Sequence, residues 1–338
     1  MNLKVGRKLL MNSNKFIKID SFDEWRTLLG KVKFKTFFHE TEWESFLEKE
    51  FEWINFEHFV YDNNVLVSFA SINKGSSRYV SHPFSEYGGP MPLGPVIDLR
   101  EFKKDLIRAF GESLKMNIHP KALEYFSNIS TPKEEGAGLI SYWVDWRNKE
   151  KDLMIHEVRK TLRHSLDRLN EENILIATCS DKDELQQFYR QYLFNMREKL
   201  NLSLPMSFFN FFFNNSKVDI VLAKKEDKVI GGSIFLNYGD FCHYFINAVD
   251  VDDNPSALIL FEKIKNVSAE GKIMDLGGTR EGSSLETFKQ AWHGEKKNII
   301  QIGETNGAMR NSSMRKLWKY LPIGLVPIIS KGLYPKII

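Results

Sequence analysis

The segment Asn254–Gly294 holds the residues of this 338-residue chain whose types and spacing best suit chemistry. The strand-like run Ile273–Leu276 leads directly into Gly277–Ser284, which is rich in glycine, serine and threonine. Glycine lets backbone N–H groups approach a ligand closely, and such a loop can present them to an anion or to a carbonyl oxygen. Downstream lie the pair Phe288–Lys289 and the triplet Trp292–Gly294. The segment therefore predicts a binding site for an anion or a carbonyl group.

The elements that must position this loop follow a pattern that occurs in both halves of the chain. β-Branched and aromatic runs flank a short polar turn at Phe59–Tyr61 and Val65–Ala70, and again at Asp219–Ala223 and Val229–Leu236, which predicts two β-hairpins. Apolar stripes at helical spacing predict helices at residues 42–47, 158–169, 185–196 and 257–269, and another from about residue 207. We therefore expect two related α/β lobes, residues 1–150 and 151–338, joined near Arg147–Asp152.

Composition excludes several classes of protein. With 42% hydrophobic and 27% charged residues and a net charge of +3, the chain is typical of a globular protein and not of a protein dedicated to binding duplex DNA. Apolar stretches such as Leu321–Ile329 are shorter than the ~20 residues of a membrane-spanning helix. The N-terminus lacks the apolar core of a secretory signal, and two cysteines form no disulfide framework. These features predict a cytoplasmic location.

Two motifs in this chain have counterparts in a known enzyme family. Asp275–Gly277 is followed in order by Thr279, Gly282, Phe288–Lys289 and Trp292, and the first half contains Pro-Phe-Ser-Glu-Tyr-Gly-Gly-Pro at residues 83–90. In both motifs the chain resembles the FemAB-like branch of the GNAT acyltransferases. The resemblance covers nearly the whole chain. It implies an α/β fold of two tandem GNAT-like lobes, each a mixed, mostly antiparallel sheet flanked by helices.

The resemblance also implies a reaction. It predicts an N-acyltransferase that moves an activated acyl group onto an amine of a sugar, polysaccharide or cell-envelope precursor. The catalytic lobe would be the C-terminal one, and a degenerate N-terminal lobe would support the acceptor. Acyl transfer to an amine requires an unprotonated nitrogen close to the acyl carbon, and hydrogen-bond donors aimed at the developing oxyanion.

By the same resemblance, Lys289 lies at the acyl-transfer site, where its ammonium group would hold charge on the tetrahedral intermediate or on the donor. Phe288 would position the donor, and Tyr244 would face the substrate cleft. The alternative for Lys289 is a solvated helix residue. His293 stands where the family places the aromatic residue directly before glycine. It is either a general base, since histidine titrates near neutral pH, or an inserted loop residue.

Five further residues are candidates for substrate binding. Thr279 belongs to the family motif, and Arg280 would hold an anionic group of the substrate or else lie on the surface. Arg159 and Arg163 lie on a basic helix face that suits a phosphorylated substrate or tRNA, with a solvated face as the alternative. Tyr87 is expected in a tight turn that approaches the other lobe.

The donor is expected to be acyl-CoA or another activated acyl compound. The stretch Ala248–Ala257, where acetyl-CoA-dependent GNAT enzymes carry a glycine-rich pyrophosphate loop, has three aspartates and no glycine. This lowers the expectation of a CoA site in the second lobe, although the FemAB branch also lacks that loop. The eight histidines show no paired ligand spacing, so no metal is predicted.

Two other functions stay open. One is an aminoacyl-tRNA-dependent ligase of FemAB type; tRNA is a less favoured partner because the sequence has no long heptad run for the helical hairpin that such ligases often carry. The other is a non-catalytic binding protein on a decayed acyltransferase fold.

The C-terminal segment Met314–Ile338 mixes apolar residues with lysines. It would either contact a membrane surface that holds a lipid-linked acceptor or pack across the lobes, since Pro322 and Pro327 interrupt a long helix.

Overall fold

The computed structural model describes residues 15–72, 78–129, 138–303 and 318–337. The chain forms two compact units. The first comprises residues 1–134 and 300–305, and the second comprises residues 135–299 and 306–338. The stretch Arg147–Asp152, expected at the join between the lobes, therefore belongs to the second unit.

The first unit is built around a mixed, mostly antiparallel sheet. The strands of the unit are β1 (Phe16–Ile19), β2 (Ile54–Tyr61), β3 (Val65–Ile72), β4 (Arg78–Val80), β5 (Met91–Pro92), β6 (Ile97–Asp98), β7 (Lys115–Ile118) and β8 (Phe126–Ser127). Strands β6 and β8 pair with each other in a separate two-stranded sheet. The helices of the unit are α1 (Phe22–Leu29), α2 (Thr41–Glu50), α3 (Leu99–Phe110) and α4 (Pro120–Leu123). Strands β1 to β4 pair in chain order, β4 pairs in parallel with β7, and residues 300–303 pair with β7 from its other side.

The second unit has the same kind of architecture. Its strands are β9 (Leu139–Val144), β10 (Leu175–Thr178), β11 (Val218–Lys225), β12 (Lys228–Tyr238), β13 (Phe241–Val249), β14 (Ile273–Asp275), β15 (Thr279–Arg280) and the first part of β16 (Glu295–Gly303), whose residues 300–303 belong to the first unit. Its helices are α5 (Lys160–Glu171), α6 (Lys182–Glu198), α7 (Met206–Phe213), α8 (Ser256–Ala269), α9 (Ser284–Gln290) and α10 (Val326–Ile337). The sheet runs from β16 through β9, β14, β13, β12 and β11 to β10, and only β13 and β14 are parallel neighbours on this path. The predicted α/β fold class is confirmed.

Both predicted hairpins are present, as β2–β3 and β11–β12. Asp62 and Asn63 have φ of 48° and 56°, and Glu226 and Asp227 have φ of 50° and 63°. Consecutive left-handed residues give the turn a twist that matches the flanking strands. Asn and Asp adopt this conformation at low cost, which is why the polar turns were recognisable in the sequence.

The helix predicted at residues 158–169 begins slightly later than expected. A 3-10 turn occupies Lys151–Glu157, and α5 starts at Lys160. The apolar stripe of α5 nevertheless packs as expected: Leu162, Leu166 and Leu169 are buried in the core of the second unit.

A buried carboxylate organises the first unit. Glu44 on α2 is 3% exposed. Its Oε1 accepts hydrogen bonds from Ser68 Oγ at 2.6 Å and His82 Nε2 at 3.0 Å, and its Oε2 accepts one from His58 Nε2 at 2.9 Å. Burial alone would raise the pKa of Glu44, but the hydrogen bonds from His58 and His82 outweigh burial and lower it to about 2. The carboxylate is therefore ionised and ties α2 to two strands and a loop.

The Pro83–Pro90 motif is held by a neighbouring histidine. His39 Nδ1 accepts the backbone N–H of Thr36 at 3.0 Å, and His39 Nε2 donates to the carbonyl of Gly89 at 2.8 Å. Burial, reinforced by the neighbouring His82, lowers the pKa of His39 to about 3, so the ring is neutral near pH 7. A side chain on Gly89 would come within 2.8 Å of the Asn117 carbonyl oxygen, which explains the glycine.

The C-terminal helix α10 packs against α6 within the second unit. Ser330 Oγ accepts the backbone N–H of Ser203 at 3.0 Å, and the Tyr334 hydroxyl donates to the carbonyl of Ser203. Pro322 precedes the helix and Pro327 lies in its first turn, where no N–H is required, so neither interrupts it. Among the described residues, no helix combines the length and the apolar character needed to cross a bilayer.

We expect the stability of this protein to depend on pH through His39. Its folded-state pKa of about 3 lies below the unfolded value of about 6.5, so its contribution is complete above pH 6.5 and is lost as the pH falls towards 3. Between pH 7 and pH 5 the loss should be about 2 kcal/mol. The contribution of Glu44 persists through this window because its loss begins only below about pH 4.5.

The measurement is the free energy of unfolding in urea at both pH values for the unmodified chain and for His39→Gln. The variant should show a decrease that is smaller by about 2 kcal/mol. His164→Gln, at an exposed histidine of α5, is the matched control and should retain the full decrease. Equal decreases in the unmodified chain and His39→Gln would contradict the assignment.

Candidate functional site

The loop that follows β14 begins at a buried carboxylate. Asp275 is fully buried, and its Oδ1 accepts the backbone N–H of Gly277 at 2.9 Å and the hydroxyl of Ser141. Its Oδ2 lies 3.4 Å from His243 Nδ1 and 3.5 Å from the Tyr238 hydroxyl. These contacts fix the direction in which the chain leaves the sheet.

Lys289 holds the next part of the loop. This residue of α9 is 3% exposed, and its ammonium group donates to the carbonyls of Gly277 at 2.7 Å and Gly278 at 3.1 Å. Gly277 has φ of 74°, a conformation that favours glycine. The solvated position considered for Lys289 is therefore wrong: the ammonium group is buried against the glycine loop that the motif predicted.

Glu286 holds the far end of the loop. Its Oε2 accepts the backbone N–H of Gly282 at 2.5 Å, and its Oε1 accepts the Tyr142 hydroxyl at 2.9 Å. The hydrogen bond from Gly282, together with the one from Tyr142, holds the pKa of Glu286 below its ordinary value despite the cost of burial. Glu286 was not among the predicted site residues. The available signal was Ser283-x-x-Glu286, the spacing of a helix capping box, and Ser283 does cap α9.

Residues 277–282, which we call the glycine loop, are thus fixed at both ends by ionisable side chains of α9. Glu286 and Lys289 are three positions apart and lie on one face of the helix. Between them, Thr279 is buried with its hydroxyl 3.0 Å from Ser283 Oγ, whereas Arg280 is exposed. The arrangement can hold a rigid backbone edge and a positive charge close to it, and Arg280 is accessible to an anionic group.

Three other predicted residues, Phe288, His293 and Arg159, lie at or contact the C-terminal end of α9. His293 is exposed with φ of 50°, and the backbone N–H of Arg159 donates to the carbonyl of Ala291 at 2.9 Å. Phe288 is half-buried, with its ring 6.1 Å from that of Trp292. A side chain at Gly294 would come within 2.9 Å of the Trp143 carbonyl oxygen, which explains the glycine that ends the motif.

The remaining predicted site residues are buried or bind backbone carbonyls of the protein itself. The Arg163 guanidinium donates to the carbonyls of Ile155 and His156, at 3.2 and 3.3 Å. Tyr244 is 9% exposed against Phe235, and burial raises its pKa. Tyr87 is fully buried in the first unit, where its carbonyl accepts the hydroxyl of Thr36 at 3.2 Å. Their roles in substrate binding or catalysis stay predictions.

The N-terminus of α8 does not suit the pyrophosphate of CoA. In the turn before it, an Asp250 carboxylate oxygen accepts the backbone N–H of Asp252 at 3.0 Å, and Asp253 pairs with Lys225 at 2.8 Å. An incoming pyrophosphate would meet carboxylates where a phosphate loop offers free backbone N–H groups. The residues present therefore do not fit CoA at this helix.

In the described part of the chain, no three His, Cys, Asp or Glu side chains are grouped to hold a metal ion.

Comparison with solved structures identifies the fold. The crystal structure of FemX aligns with a TM-score of 0.57 and 10% identity, over 86% of this chain and 97% of its own. The chain has a FemAB-like, GNAT-type fold. L-PGS from Bacillus licheniformis aligns with a TM-score of 0.51 and 11% identity, over 91% of this chain and 97% of its own. No protein-family model and no curated protein matches the sequence, so the likeness is one of fold.

We expect Glu286→Gln to loosen the glycine loop of this FemAB-like fold. The neutral amide is a weaker acceptor for the Gly282 N–H than the carboxylate, so the free energy of unfolding should fall by about 1–3 kcal/mol. Amide hydrogen exchange at Gly282 should become faster. Glu281→Gln removes an exposed carboxylate from the same loop and serves as the control. Unchanged exchange at Gly282 in Glu286→Gln would show that this bond does not hold the loop.

Proposed function

We propose that this chain is an N-acyltransferase that moves an activated acyl group onto an amine of a sugar, polysaccharide or other cell-envelope precursor. The observation that supports it most is the buried ammonium group of Lys289 on the carbonyls of Gly277 and Gly278. It occurs at the motif position that resembles the FemAB-like acyl-transfer site, in a chain with the fold of FemX.

The proposed step is a nucleophilic substitution at the acyl carbon. The acceptor nitrogen donates its lone pair to that carbon and the carbonyl oxygen becomes an oxyanion. The bond to the leaving group then breaks, and the nitrogen loses a proton. A fixed positive charge and a rigid loop stabilise the oxyanion without reorganising during the reaction. Lys289 would supply that charge, Arg280 would hold an anionic group of a substrate, and the exposed His293 would accept the proton.

The residues before α8 bear on which donor the chain would bind. The carboxylates before α8 are unsuited to the pyrophosphate of CoA, so an acyl-CoA donor would have to bind elsewhere on the chain. The carboxylates of that turn favour a second candidate donor, an aminoacyl-tRNA. Binding of an aminoacyl-tRNA does not require a pyrophosphate site. The exposed side chain of Arg159, the residue before α5, would contact the phosphate backbone of the tRNA.

We expect Lys289→Met to reduce acyl transfer about 10²–10³-fold, the effect of removing one oxyanion-stabilising group. Lys263→Met is the matched control, since Lys263 is also buried in the second unit, where it pairs with Asp219 at 2.7 Å. Both variants should lose stability because each removes a buried ion. Only Lys289→Met should lose activity at temperatures where both are folded; equal losses of activity would contradict the catalytic role.

The donor can be identified by incubating the chain with glucosamine or a lysine-containing peptide as acceptor. Acetyl-CoA and alanyl-tRNA are supplied in separate reactions, and the acylated acceptor is detected by mass spectrometry. We expect product with one of the two donors. Product from alanyl-tRNA with binding that weakens steeply as salt rises would identify the tRNA-dependent reaction. No product from either donor, with no thermal stabilisation by either, would favour a binding protein on a decayed fold.

A further inference from the structure

Tyr142, a residue of β9, is connected by hydrogen bonds to both ends of the glycine loop. It is 5% exposed and lies in the core of the second unit. Its carbonyl oxygen accepts the backbone N–H of Leu276, the residue directly before the loop, at 2.9 Å. Its hydroxyl donates to Glu286 Oε1 at 2.9 Å, and Glu286 Oε2 accepts the backbone N–H of Gly282 at the far end of the loop. One residue of β9 therefore sets the position of both ends.

A second side chain of α9 fixes the direction of the Tyr142 hydroxyl. Gln290 Nε2 donates to the hydroxyl oxygen at 3.2 Å, so the hydroxyl hydrogen is left to point at Glu286. Glu286 and Gln290 are four positions apart and lie on one face of α9. The hydroxyl therefore holds α9 against β9 at two points of that face.

The helix that Tyr142 holds also carries Lys289. This lysine is the neighbour of Gln290 in the chain, and its ammonium group binds the carbonyls of Gly277 and Gly278. A movement of α9 along β9 would therefore displace the ammonium group from the start of the loop. A displacement of about 1 Å at a reacting centre can reduce a rate about 10²-fold.

We propose that Tyr142 is a positioning residue of the candidate acyl-transfer site, which fixes the glycine loop and the ammonium group of Lys289 relative to β9. It acts through Glu286 and Gln290 and contacts no reacting atom. The effect on acyl transfer rests on the proposed function, whereas the hold on the loop does not.

The first test is amide hydrogen exchange at Gly282 in Tyr142→Phe. The variant keeps the aromatic ring in the core and removes only the hydroxyl, so exchange should become about five- to tenfold faster, the effect of losing one hydrogen bond. The carboxyl pKa of Glu286, followed by NMR, should rise, because the Tyr142 hydroxyl is one of the donors that lower it. Lys296, 3.7 Å from Glu286 Oε1, still pairs with the carboxylate in the variant.

Tyr189→Phe is the matched control. Tyr189 is also a buried tyrosine of the second unit, and its hydroxyl donates to the carbonyl of Leu204 at 3.2 Å. This variant should leave exchange at Gly282 and the pKa of Glu286 unchanged. Gln290→Met, at a half-buried position, is a second and milder variant. It removes the donor that orients the Tyr142 hydroxyl, so it should also speed exchange at Gly282.

The second test measures kcat and KM for acyl transfer to glucosamine or the lysine-containing peptide, with whichever of acetyl-CoA and alanyl-tRNA gives product. We expect Tyr142→Phe to lower kcat about tenfold or more and to change KM less than about twofold, since the variant displaces Lys289 without removing a group that binds substrate. Tyr189→Phe should keep both values.

Three results would overturn the proposal. Exchange at Gly282 that is unchanged in Tyr142→Phe and Gln290→Met, or equally fast in Tyr189→Phe, would show that the hydroxyl does not hold the loop. A raised KM with an unchanged kcat would indicate a role in binding substrate, and equal losses of kcat in Tyr142→Phe and Tyr189→Phe would indicate a general loss of stability. If the unmodified chain transfers no acyl group, the proposed function fails, and exchange at Gly282 still decides whether Tyr142 holds the loop.

Discussion

The candidate site depends on ionised side chains that are buried to hold backbone groups. Asp275 fixes the first N–H of the glycine loop, Lys289 fixes two of its carbonyls, and Glu286 fixes its last N–H. Burying a charge is costly unless hydrogen bonds replace water. Here the backbone of the loop supplies those bonds, so the loop cannot move without exposing or stranding a charge. That constraint makes a glycine-rich segment rigid enough to position a substrate.

In the first unit, buried ionisable side chains hold the loop of the Pro83–Pro90 motif in a similar way. Glu44 is buried and ionised beneath His82, which immediately precedes Pro83, and a neutral His39 binds the carbonyl of Gly89. Both motifs are therefore loops held in place by buried ionisable side chains.

The local sequence pattern was sufficient to predict much of the fold. The hairpins were predictable because strand periodicity and turn chemistry depend on residues a few positions apart. The helices α6, α7 and α8 followed from apolar spacing. The start of α5 was not predictable in this way, because the preceding residues form a 3-10 turn whose carbonyls are bound by Arg163.

The sequence by itself determined the α/β class, the two hairpins and the glycine loop, since each depends on residues close together in the chain or on a recognisable motif. Only the tertiary structure decided which charged residues are buried. Glu44 and Glu286 look like surface carboxylates in a helix, and their burial depends on His82 and Tyr142, which are 38 and 144 positions away. A buried charge is stable only when hydrogen-bond partners such as these surround it. Because the partners are far apart in the chain, only folding brings them together.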